Sequence, residues 1–180
     1  MSSCGNSDPL PKPRGYFRIT LPEHKYKLFD SVCPYTFEYP VYARIIPDTV
    51  RSAEPYWIHV DFPSFKGRLH ISYKSVHNNL RKYTEDARTL VMKHTSMASE
   101  INDDMIIDNP KSKVYGQVYE IGGIAAASPY QFYVTDSVSH FVRGALYFNV
   151  TPNNDSLAPV IKLLKQDINH LITTFKWKNK

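Results

Sequence analysis

The chain has 180 residues, 42% of them hydrophobic and 22% charged, with a net charge of +5. That is enough apolar material for one sizeable core, and no run of about eighteen apolar residues is present to cross a bilayer as a helix. Lysine and arginine are interspersed with acids, which argues against nucleic acid as a partner; the densest group, Lys176-Trp177-Lys178-Asn179-Lys180, suits a solvated helix end.

Met1-Ser2-Ser3-Cys4-Gly5 matches the end of a bacterial lipoprotein signal, in which two small residues precede a cysteine that accepts a diacylglyceryl group. On that reading Cys4 is the lipidation site, the mature protein begins there, and the leader's apolar stretch lies ahead of Met1. The competing reading is an ordinary cysteine in a frayed terminus. Residues 5–13 are polar, with Pro9, Pro11 and Pro13 at alternate positions, a composition that stays extended and solvated at roughly 3.1 Å per residue. Residues 1–14 are therefore expected to be a lipid-anchored, proline-rich tether. Residues 15–180 are expected to form one globular body, with 15–55 as its extended, proline- and aromatic-rich part. Acylation of Cys4 leaves Cys33 as a small buried hydrophobe, whereas a free Cys4 in an oxidising compartment permits a Cys4–Cys33 disulfide.

Most prolines precede residue 64, so no long helix is expected there. Aromatics crowd the same third, among them Tyr16, Phe17, Tyr35, Phe37 and Tyr39, either as strand residues filling a core or as a platform for a partner. Ile58, Val60 and Phe62 alternate with Trp57, His59 and Asp61, and Leu69, Ile71 and Tyr73 repeat that period of two. Matching the apolar faces across a hairpin sets Phe62 opposite Leu69, Val60 opposite Ile71 and Ile58 opposite Tyr73, with Asp61 beside His70. A helix follows, capped by Asn78 or Asn79, its inward stripe running through Leu80, Tyr83, Ala87, Leu90, Val91, His94, Met97 and Ile101. A polar connection through Asn109-Pro110-Lys111 leads to three strands, Val114–Ile121, Tyr130–Thr135 and Phe141–Val150. Short turns at Gly122-Gly123 and Asp136-Ser137 make them an antiparallel meander. Asp155 is expected to cap a last helix, with Pro159 in its first turn and a stripe through Leu157, Val160, Ile161, Leu164, Ile168, Leu171, Ile172 and Phe175. The sum is α+β: an antiparallel sheet with two amphipathic helices packed on it. This element order resembles that of Mog1/PsbP-like domains, a family of binding and assembly factors; fold alone does not fix function.

The common catalytic and cofactor motifs are absent, including G-x-S-x-G, H-E-x-x-H, C-x-x-C and the Walker A loop. No cofactor and no resident metal are expected. His59, Asp61 and His70 form a weak polar cluster that supplies at most three ligands, so a polar pair on an exposed sheet face competes with a metal half-site. Asp136, Ser137 and His140 contain the residue types of a hydrolytic triad, yet crowding within five residues favours a turn. His94, on the inward stripe, reads as a core histidine.

Several longer strings carry more weight. They include Pro11-Lys12-Pro13-Arg14-Gly15-Tyr16-Phe17-Arg18-Ile19, Cys33-Pro34-Tyr35-Thr36-Phe37-Glu38-Tyr39-Pro40, and Tyr115-Gly116. Phe141-Val142-Arg143-Gly144-Ala145-Leu146-Tyr147-Phe148 and Asp155-Ser156-Leu157-Ala158-Pro159-Val160 complete the set. Together they resemble the gliding motility lipoprotein GldD family of Bacteroidota, from Cys4 to Trp177. The resemblance implies a non-enzymatic lipoprotein of the cell envelope that faces the periplasm and is tied to gliding and the type IX secretion machinery, and it brings no catalytic residues. Its implied partners are other gliding and secretion envelope proteins, plus the membrane through lipid on Cys4. Arg14, Tyr16, Phe17 and Arg18, with Tyr35, Phe37 and Tyr39, are the candidate contacts, since they combine aromatics with charge and proline. A periplasmic ligand-binding module for glycan or lipid is the alternative, to be distinguished by a concave pocket with exposed aromatics.

Overall fold

The computed structural model describes residues 20–150 and 153–178, apart from the side chain of Asp104. Ten strands and two α-helices follow in the order β1 (Tyr26–Phe29), β2 (Tyr35–Pro40), β3 (Arg44–Pro47), β4 (Ile58–Phe62), β5 (Gly67–Ser75), α1 (Leu80–Met92), β6 (Glu100–Asn109), β7 (Val114–Gly122), β8 (Tyr130–Thr135), β9 (His140–Phe148), α2 (Asn154–Thr174) and β10 (Lys176–Trp177). A seven-stranded antiparallel sheet has the order β3-β4-β5-β9-β8-β7-β6, and a three-stranded sheet has the order β1-β2-β10. The expected α+β architecture is present, with one helix on each face of the large sheet.

Period-two alternation decides which face each strand residue takes. Val60, Phe62, Leu69, Ile71, Val118, Phe132, Val142 and Leu146 lie in the main core with Val160, Leu164, Ile168 and Leu171 of α2. This inner face is also pinned by polar groups: Lys165 reaches Glu120 at 2.6 Å, and the Tyr130 hydroxyl donates to Asn169. The small sheet closes the same core through stacked rings, Phe29 on Phe37 at 4.8 Å and Tyr35 on Phe175 at 5.5 Å. On the outer face, α1 covers mainly β7 to β9. Val91 joins Tyr119, Ile121 and Ala126, while Ala87 joins Val76 and Phe141.

The β4–β5 register differs from the expected one by a shift of two. Val60 faces Leu69, Ile58 faces Ile71, His59 faces His70, and Asp61 faces Arg68. A two-residue slip keeps every apolar side chain on its own face, so alternation cannot choose between the two pairings. The turn chooses. Pro63–Phe65 form a 3-10 turn, and Lys66 at φ 50 sends the chain back early enough for Gly67 to pair with Phe62.

Three other expectations change. First, α1 stops at Met92, short of Met97 and Ile101, and Ile101 pairs with Ile121 as part of β6. Second, β6 occupies a stretch expected as a connection. Its Asp- and Asn-rich sequence opposes a central strand but suits the sheet edge it forms, where charge deters pairing with other chains. Third, the cap of α2 is Asn153, whose side chain accepts from the Ser156 amide. Asp155 sits in the first turn instead, where a carboxylate favours the helix dipole. Pro159 consequently lies beyond the first turn and costs α2 an internal hydrogen bond.

Candidate functional site

Among the candidate contacts in the described residues, Tyr35 and Phe37 are fully buried and Tyr39 is only partly so. Tyr35 and Phe37 therefore brace the small sheet and cannot meet a partner, a correction that follows from the inward pointing of alternate β2 residues. Tyr39 stays accessible, with the Lys27 ammonium 4.8 Å from its ring centre. Arg14, Tyr16, Phe17 and Arg18 lie outside the described residues, as does Cys4. Cys33 is a free, buried thiol.

The polar cluster is rearranged by the register. Asp61 does not pair with His70; its carboxylate accepts from Arg68 Nη2 at 3.0 Å and Arg44 Nε at 3.1 Å. Burial opposes ionisation of Asp61, but these guanidinium bonds prevail and hold the carboxyl below its ordinary range. His59 instead approaches Asp48, Nε2 to Oδ2 at 3.5 Å, and its ring centre lies 4.4 Å from that of His70. Burial pushes both histidines below the usual imidazole range, and for His70 the neighbouring His59 and Arg68 add to it. Among the described residues, no group of three His, Cys, Asp or Glu side chains is arranged to hold a metal ion.

Asp136, Ser137 and His140 form a turn. The Asp136 Oδ1 accepts the amides of Val138, Ser139 and His140 at 2.8 to 3.0 Å, which ties up the carboxylate and holds it below its ordinary range despite burial. The His140 Nδ1 and the Tyr73 hydroxyl share a hydrogen bond at 2.8 Å, and the His140 ring stacks on Trp177. Nothing in this arrangement directs Ser137 towards His140 as a nucleophile.

A groove that joins aromatic and charged groups runs between α1 and the outer face of β5 and β9. It measures about 500 Å³ and is lined by Trp57, Tyr83, Leu90 and Phe141 together with His70, Lys82 and Arg143. The helix covers β7 to β9 more fully than β4 and β5, which leaves this groove along its flank. Its lining also includes Asp48, Ser72, Lys74 and Asp86, and a cavity of this size that joins aromatic walls to charged groups lies in the range of small-molecule sites.

A family model for the gliding motility lipoprotein GldD matches residues 6–177. The chain belongs to that family. No curated protein matches it. Among solved structures, the solution structure of cyanobacterial PsbP (CyanoP) from Synechocystis sp. PCC 6803 is similar over 98% of both chains, with a TM-score of 0.52 and 11% identity. At that identity the likeness concerns the fold alone, and it agrees with the PsbP-like element order.

In this member of the GldD family, two strings behind the resemblance acquire distinct places. Cys33–Pro40 supplies β2 and its lead-in, while Phe141–Phe148 supplies most of β9 and puts Arg143 beside the groove. A second polar centre went unread in the sequence. Asp167 of α2 is almost fully buried and accepts from the Tyr26 hydroxyl at 2.9 Å, from the Tyr42 hydroxyl, and from His24 Nδ1 at 2.7 Å. Two signals were available: Asp167 falls three residues after Leu164 and four before Leu171, on the inward stripe, and Arg143 interrupts an apolar strand. No described helix is long and apolar enough to cross a membrane.

Proposed function

We propose that this gliding motility lipoprotein is held in the cell envelope by lipid on Cys4, with its body facing the periplasm from the outer membrane. On this reading it works without catalysis, as an assembly or scaffold component of the type IX secretion and motility machinery. Residues 1–14 act as the tether and 15–180 as one body. The match to the family along residues 6–177 carries the reading. The contact role draws support from the β1–β2 hairpin and its flanks, where Leu28, Val32 and Val41 are exposed alongside the accessible Tyr39. Aliphatic and aromatic groups presented together are the usual anchors of a protein interface.

The anchor is tested by mass spectrometry of protein made from the gene with its full leader. Acyl mass on Cys4 and loss of membrane association and gliding in Cys4→Ser are expected; an unmodified Cys4 rejects the tether. A second reading, a ligand-binding module, draws support from the groove beside α1 and its aromatic walls.

A further inference from the structure

From the groove between α1 and strands β5 and β9, we infer that the protein binds a small organic oxyanion, a carboxylate or phosphate carried on a sugar-sized ring, with Arg143 as its anchor. This deepens the ligand-module reading by naming the ligand's chemistry, and it is independent of the tether.

Three observations converge on Arg143. First, it projects from the middle of β9 on the outer face, paired with Ser72 on one side and Tyr133 on the other, and it lines the groove. Second, among the described residues it has no ion-pair partner, although Asp48 and Asp86 line the same groove. Among the described residues its hydrogen-bond partners are the Gln131 Oε1 and the Tyr147 hydroxyl, both neutral, although burial already pulls the guanidinium below its ordinary range. Withdrawing a cation from water without a carboxylate is costly, and a guanidinium still has N–H groups to give in a planar fork suited to a two-oxygen anion.

Third, Gln131 is fully buried, and its Nε2 has no acceptor among the described residues. The amide's orientation is settled by Arg143, which requires the oxygen, so the orphaned donor is on the same side chain that positions the guanidinium. An unsatisfied buried donor beside a half-buried guanidinium that has only neutral partners among the described residues calls for an acceptor.

The walls restrict the rest of the ligand. Trp57, Tyr83 and Phe141 offer aromatic surface, and about 500 Å³ accommodates a monosaccharide-sized body. Lys82 on α1 adds positive charge at the rim, while Asp48 and Asp86 supply acceptors for hydroxyls. A neutral sugar satisfies the acceptors but leaves Arg143 uncompensated, so charge is the discriminating feature.

The test titrates the full-length purified chain with glucuronate, glucose 1-phosphate and glucose, by calorimetry and by NMR of the Gln131 side-chain amide and the Arg143 Nε–H. Both acids are expected to bind at least tenfold more tightly than glucose and to shift those two resonances in the wild-type protein. Arg143→Gln should erase the tenfold preference, and Arg143→Lys should retain part of it. Because Arg143 variants can fold poorly, the wild-type shifts stand as an independent readout. Glucose bound as tightly as the acids overturns the oxyanion assignment while leaving a ligand module. Absence of binding by all three, with both resonances unmoved, overturns the two together.

Discussion

Replacing Asp167 by alanine should release the N-terminal part of the fold from α2. Its carboxylate gathers donors from three residues distant in sequence: His24, Tyr26 and Tyr42. The carboxylate is fully buried on α2, and burial together with Asp167 raises the Tyr26 phenol to about 12. A hydrogen bond to a charged group contributes roughly 1.5–3 kcal/mol. The tyrosines are partly exposed and recover water bonds, so the low end applies; two such bonds give a loss of about 3 kcal/mol, with the half-exposed His24 adding little. At about 2–4 °C per kcal/mol for a chain of this size, melting should fall by roughly 6–12 °C. Urea denaturation followed by circular dichroism measures the loss, and hydrogen exchange should show β1 opening before the large sheet. Asp167→Asn, which keeps an acceptor, should lose about half as much. A spectrophotometric titration should show Tyr26 ionising closer to the ordinary tyrosine range in both variants. An Asp167→Ala protein within about 0.5 kcal/mol of wild type would refute the claim that this carboxylate fastens the two parts.

Acid should weaken the fold in two steps. His59 and His70 have depressed folded pKa values, so their contribution is complete above the unfolded value of about 6.5 and is lost as pH falls through the lower folded values. The urea midpoint should therefore drop between about pH 7 and pH 5, and less steeply in His59→Asn/His70→Gln. Asp61 is likewise depressed, so its share persists above about pH 4 and disappears only below it; Asp61→Asn should remove that second step. Leu164→Ala opens a hole in the fully buried contact between α2 and the inner face and should cost about 2–5 kcal/mol, measured in the same urea assay. Gly144→Ala places a methyl carbon 2.2 Å from the Phe132 ring and should cost about 1–3 kcal/mol, with a changed near-ultraviolet spectrum; an unchanged stability would contradict the packing at the β8–β9 pair.

Strands β4, β5, β7, β8 and β9 of the large sheet and both helices were legible because their apolar periods are strong. Val114–Ile121, Tyr130–Thr135 and the α2 stripe left little choice of face or type. What the pattern could not decide was register, since a slip of two preserves the face, and Lys66 in the left-handed conformation settled it. Edge strand β6 was hidden by its acids, which work at an edge and would fail inside a sheet. The site was harder to read. Tyr35 and Phe37 have the composition of interface anchors, and burial alone separates that role from core packing. Arg143 and Gln131 belong to different strands and meet only once β8 and β9 are paired. Asp48, too, reaches His59 through a fold-dependent approach from outside the strand.

Gliding itself tests the central claim. Cells whose sole copy carries Leu28→Asp, Val32→Asp and Tyr39→Ala should stop gliding, although the protein remains folded, abundant and in the membrane fraction. Full gliding by those cells, with the altered surface confirmed in the expressed protein, would contradict the proposal that this exposed hairpin carries the protein's working contacts.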